Sequence, residues 1–170
     1  MIINVTPIGK PRMTRSDKWK LRDVVVRYRM FKDELRREAP ELQGAVDGRV
    51  WLVFILPMPE SWSKKKIIAM DGKPHQQKPD SDNMLKAFLD ATMQEDCEVY
   101  ESHTLKLWGR HGLIYYGEED YARISQAVSH EAARPSAAIS AEEVSGAARG
   151  RVAIPRHLRM RGVLPGVRRR

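Results

Sequence analysis

Asp80 and Asp82 stand two residues apart, Lys86 follows four residues after the second, and Glu95-Asp96 adds an acidic pair a little further on. Hard divalent cations take oxygen ligands, and magnesium is usually held by a few carboxylates together with water and substrate phosphate. Asp80, Asp82 and Asp96 can supply such a set. Two residues apart in extended backbone, the first two carboxylates point the same way. Lys86 lies four residues from Asp82 and four from Asp90, so on a helix the three share a face. A lysine there can neutralise an acidic pocket or stabilise charge on a phosphate during cleavage, and Asp90 reads as its structural partner. Plainer readings stand beside this one. Asp80 or Asp82 can cap a helix, and Glu95, Asp96, Glu98 and Glu101 can form a solvated acidic loop. Capping, however, uses one aspartate, not two plus a further cluster beside a lysine. A calcium loop beginning at Asp80 would need glycine at its sixth and glutamate at its twelfth position, where the chain has Leu85 and Ala91. An Asp-x-Asp phosphotransferase would have a hydrophobic strand just ahead, where the chain has His75-Gln76-Gln77-Lys78-Pro79.

The elements that must hold these groups can be read outward from them. Pro79 gives the motif a turn or extended entry, so the aspartates project from a loop or a helix N-terminus. Met84, Leu85, Phe88, Leu89 and Met93 form the apolar face of the following helix. Asp96 comes after that helix ends, so the chain must turn back to bring it in. Upstream, residues 49–56 form the strongest strand, a near-continuous apolar run that implies burial on both faces. Residues 44–48 make a turn, Ile2-Ile3-Asn4-Val5 a short strand, and residues 99–108 and 113–116 two more, with residues 109–112 as a hairpin turn between them. The spacing of Trp19, Val24, Val25, Tyr28, Phe31 and Leu35 predicts a helix from about Asp17, capped by Ser16-Asp17 and ended by Pro40, with Trp19 packed. Ser61-Trp62-Ser63 opens a helix whose first turn is Lys64-Lys65-Lys66, a charge opposed to the helix dipole. The five histidines have no ligand spacing and read as surface or turn residues. These elements predict an α+β fold: a small mixed β-sheet packed by two or three helices in a single domain.

Charge is unevenly distributed. The net charge of +8 divides into about +7 over residues 1–75, −6 over residues 76–120 and +7 over residues 121–170. An acidic centre between basic flanks suits a cation-binding pocket served by surfaces that grip a polyanion. Cys97 is the lone cysteine, so no disulfide framework forms within one chain, and a reducing, cytoplasmic compartment fits. No run of about 18 apolar residues suggests a membrane span, and the first residues do not read as a signal peptide. From about residue 121 lysine disappears in favour of ten arginines, and ten alanines appear. The expected division is a domain over residues 1–120 and a basic, largely disordered Arg/Ala-rich extension over residues 121–170. That extension has a short helix near 120–133 and an end, residues 156–170, able to bind phosphates without sequence preference.

The stretch Lys78-Pro79-Asp80-Ser81-Asp82-Asn83-Met84-Leu85-Lys86-Ala87, continued by Asp90-Ala91, then an acidic pair and Val99, resembles the RusA family of Holliday junction resolvases, common in phages and prophages. Gly9-Lys10-Pro11-Arg12 and Pro57-Met58-Pro59 with Ser61-Trp62-Ser63 resemble phage-type members, and the likeness covers roughly residues 1–117. The resemblance implies a homodimeric, Mg2+-dependent endonuclease, with Mn2+ able to substitute, that cuts four-way junction DNA by paired nicks inside a bacterial cell. Asp80, Asp82 and Asp96 match the family's essential aspartates and Lys86 its essential lysine. The chain departs from the pattern in having Glu95-Asp96 where two aspartates are usual and in a shorter link from Asp90, so Glu95 stands as the alternative third ligand. Lys10, Arg12, Arg15, Lys18, Lys64, Lys65, Lys66, Lys73 and Lys78 are the expected DNA-binding residues. A branched-DNA-binding protein without catalysis and a nuclease for other branched DNA are the competing readings.

Overall fold

The computed structural model describes residues 1–20, 22–46 and 48–132, apart from the side chains of Asp96 and Ala132. The expected extension beyond Pro135, its arginine-rich end and His157 lie outside the described residues.

The sheet has four strands: β1 (Ile2–Ile3), β2 (Arg49–Pro57), β3 (Glu101–Gly109) and β4 (Leu113–Tyr116). Their spatial order is β1-β4-β2-β3. The apolar run of β2 places it centrally, where it pairs parallel with β3 and antiparallel with β4. The expected hairpin between the last two strands is therefore corrected: β3 and β4 lie on opposite sides of β2. Residues 110–112 carry the chain across the end of the central strand. That crossing is tight. A Cβ on Gly109 would meet Ile55 Cγ2 at 2.3 Å, and one on Gly112 would meet the Thr6 backbone at 2.6 Å. Glycines in such a stretch read as hairpin residues, but here they serve close approach of backbone to its neighbours.

Alternation along β2 assigns the faces. Val50, Leu52, Phe54 and Leu56 are buried in one continuous core with Tyr28, Phe31 and Leu35 of α1 (Asp23–Glu38) and Met84, Ala87 and Phe88 of α3 (Ser81–Thr92). The opposite face meets α4 (Glu118–Ala132), where Tyr121 contacts His103, which itself stacks on Trp51. α2 (Lys64–Met70) opens with Ser63 as its cap, the Ser63 hydroxyl accepting a hydrogen bond from the Lys66 N–H. Among the described residues the result is a small α+β domain with a mixed sheet and four α-helices, one or two more than expected. The short helix foreseen near 120–133 is α4.

The first helix begins later than its periodicity predicts. Residues Arg15–Lys18 form a separate 3-10 turn, and α1 starts only at Asp23. The reason is local hydrogen bonding. Asp17 Oδ2 accepts from the Thr14 N–H at 2.6 Å, and Arg22 grips both carboxylate oxygens. A side chain that satisfies nearby backbone in this way competes with helix continuation. Trp19, expected to pack, is instead 86% exposed.

The candidate active site at the start of α3

Lys78 and Pro79, joined by a cis peptide bond, lead into α3. Asp80 occupies the position before the first helical residue, yet its side chain makes no capping hydrogen bond. The capping reading of Asp80 therefore fails, and its carboxylate is exposed. Asp82 lies in the first turn rather than in extended backbone, and it too is exposed. Negative charge is favourable at a helix N-terminus, so the helix tolerates both carboxylates there without consuming them. Lys86, one turn on, reaches Asp82 Oδ2 at 3.5 Å, with both side chains more than half exposed. Asp80 shares an open depression with Gly9, Lys10, Lys78, Pro79 and Asn83.

The loop that brings Lys10 here is fixed by close packing. A Cβ on Gly9 would lie 2.8 Å from Pro79 Cβ, and the Lys10 N–H donates to the Asn83 carbonyl at 2.8 Å. Lys10 Nζ then pairs with Asp90 Oδ2 at 2.7 Å. Asp90 also accepts from the Tyr28 hydroxyl. The expected Lys86–Asp90 pairing is thus corrected: Lys86 turns to Asp82, and Asp90 joins the first loop and α1 to α3. Burial, followed by the hydrogen bond to Asp90, raises the Tyr28 pKa above its ordinary value, so the phenol remains a donor.

From the opposite side, β3 holds the approach to the motif. Lys106 Nζ donates to the Gln77 carbonyl at 2.9 Å and to the Pro79 carbonyl at 2.6 Å. His75 is buried at 5% exposure with its ring 3.9 Å from that of Trp108, which corrects its assignment to the surface. Its Nδ1 accepts from the Gln77 N–H. Burial first, and the Lys106 charge second, lower its pKa and keep the ring neutral. Lys106, Tyr28, Asn83 and His75 escaped sequence reasoning as site-building residues. The available signals were slight: a lysine between two leucines in β3 and a hydroxyl-tipped residue in the apolar stripe of α1.

The other expected DNA-binding residues are spread over several elements. Lys78 lines the depression beside Lys10. Arg12, Arg15 and Lys18 are exposed on the segment ahead of α1, and Lys64, Lys65 and Lys66 occupy the first turn of α2. Lys66 Nζ sits 3.9 Å from the centroid of the Trp62 ring. Lys73 pairs with Glu131 of α4 at 3.1 Å, so its charge is engaged within the protein. Asp96 begins a 3-10 turn, Asp96–Glu98, which residues 93–95 separate from the end of α3. Among the described side chains no group of three His, Cys, Asp or Glu converges on one point; that of Asp96 is not among them.

The site is thus a pair of exposed carboxylates at a helix start, set among lysines, on a small α+β domain. Residues 3–115 match the family model of the RusA endodeoxyribonuclease, which is most of the chain. The chain belongs to the RusA family, endonucleases that act on Holliday junctions. No curated protein and no solved structure matches it. No helix among the described residues is long and apolar enough to cross a membrane.

Proposed function

We propose that this chain is a Mg2+-dependent endonuclease that resolves four-way DNA junctions by paired nicks in recombination and repair. The observation that carries the reading is the pair of exposed aspartates at the start of α3, one without its capping bond, beside Lys10 and Lys78. Two exposed carboxylates, one of them held only by a solvent-exposed lysine, match what magnesium takes from a protein. Asp80 and Asp82 would hold the cation, with Asp96, or Glu95 in its place, as the third ligand. When bound there, the cation supplies charge neutralisation at the phosphodiester and acidifies water for attack on it. Mn2+ offers a similar preference for oxygen and would substitute.

The remaining chemistry belongs to the chain's own residues. Lys86 balances Asp82 and, more than half exposed, can swing toward phosphate, where its ammonium stabilises developing negative charge. Lys78 receives the phosphate backbone at the depression, and Lys10 joins it if it exchanges Asp90 for phosphate. Arg12, Arg15, Lys18, Lys64, Lys65 and Lys66 extend that grip, and Lys73 contributes if it exchanges Glu131 for phosphate. A homodimer would present two such sites to two symmetry-related strands, as paired nicking requires.

The test is cleavage of a four-way junction with and without Mg2+, comparing the intact chain with Asp82→Asn. We expect the variant to bind the junction as well as the intact chain and to cut it slower by on the order of 100-fold or more. If the intact chain binds junctions but cuts none with any divalent metal, it is a branched-DNA-binding protein. If it cuts flaps or forks in preference to junctions, the substrate assignment is wrong.

A further inference from the structure

Trp19 has the greatest exposure of the large apolar side chains left open among the described residues, at 86%. A single exposed leucine requires no explanation. An indole is different, because it offers a large flat apolar surface and its burial is usually worth several side-chain contacts. The backbone that carries it is held in place. Asp17, two residues earlier in the chain, is 2% exposed, accepts from the Thr14 N–H and is clamped by Arg22. The Trp19 N–H donates to the Ser16 carbonyl, and Arg22 Nη2 donates to the Arg12 carbonyl, so the segment closes back on its own start. Its acidic group is buried and paired with Arg22, while Arg15, Lys18 and Lys20 of the same segment remain exposed. The segment continues directly from Lys10 at the candidate site.

An exposed aromatic ring on a basic, internally tied segment matches an unstacked nucleobase, whose face stacks on the ring while its phosphates meet the charges. We propose that Trp19 is a substrate contact that stacks on a base exposed at the branch point of the DNA. This rests on the nuclease reading above, but it is tested separately from it. Aromatic stacking is tolerant of base identity, so the contact would select an opened branch rather than a sequence.

The experiment uses the full chain and its W19A and W19F variants in calcium, which supports binding without requiring turnover. The DNAs are a four-way junction with 2-aminopurine beside the branch, the matching duplex, and a single-stranded oligonucleotide carrying the same base. We expect W19A to melt at the wild-type temperature and to lose roughly tenfold in junction affinity, in line with one base stack. W19F should keep most of that affinity, duplex binding should not change, and the 2-aminopurine signal should respond to wild type and W19F but not to W19A. Equal junction affinity for W19A and wild type would overturn the proposal, as would equal losses on junction and duplex. A shift of W19A from dimer to monomer in sedimentation would make Trp19 a contact between copies and overturn it too. If wild type neither binds nor cuts junctions, the resolvase reading fails. The single-stranded signal still decides the stacking in that case.

Discussion

Lys106 shows how much of the candidate site depends on one side chain outside the acidic motif. Its ammonium bridges the carbonyls of Gln77 and Pro79, the last turns of chain before the first aspartate. Hydrogen bonds from a charged donor are each worth about 1.5–3 kcal/mol. Lys106→Met keeps the stem and removes the donor. We expect this variant to lose about 2 kcal/mol of stability, seen as a lower urea midpoint with an unchanged slope, and to cut junctions more slowly than its binding predicts. Equal effects on binding and cutting would mean that Lys106 acts on the DNA and does not position the motif. Asp90 makes the corresponding point on the other side. Helical spacing offered it to Lys86, but spacing within one helix says nothing of what another element brings within reach. Here the first loop delivers Lys10, and α1 delivers Tyr28.

At the level of elements, most of the scaffold was legible. The apolar run of β2, the stripe of α3 and the Ser63 cap of α2 each follow from local sequence and stand where it placed them. What was not legible came from competition between local and distant partners. The capture of Asp17 by Thr14 and Arg22 broke the helix predicted through it, and the pairing of β2 with both later strands replaced a hairpin. The aspartate pair was legible from spacing, whereas its anchors on β3 and α1 depend on tertiary contacts. The contact between the 75–79 segment and β3 also has a pH signature. His75 has a lowered pKa in the fold, while an unfolded histidine titrates near 6.5. Above about pH 6.5 both states are neutral and stability is flat. Below it the unfolded chain takes up a proton that the folded chain resists, so stability falls as pH drops toward the folded pKa. Thermal melts at pH 7.5 and 5.5 should show a larger acid-induced drop for the intact chain than for His75→Gln, and equal drops would refute the assignment.

For the whole molecule, the consequence of the charge distribution is a salt dependence. Each phosphate neutralised contributes about 0.9 to the slope of log affinity against log salt on duplex arms. Replacing Lys64 and Lys65 with glutamine should flatten that slope by about 2 and weaken junctions of different sequence alike. Lys73→Gln should change it less, because Glu131 already holds that charge. An unchanged slope in the double variant would remove the first turn of α2 from the DNA-binding surface. The parallel pairing of β2 with β3 carries a further implication. Partners in that ladder are 52 residues apart, and α2, the 75–79 segment and α3 all lie within the connection between them. A contact of such long sequence separation forms late. Both aspartates therefore emerge during synthesis well before Lys106 is available to fix their approach. A chain stopped short of β3 would carry the acidic motif without its anchor, so on the proposed function the order of translation itself would delay the competence to cut DNA until the sheet has closed.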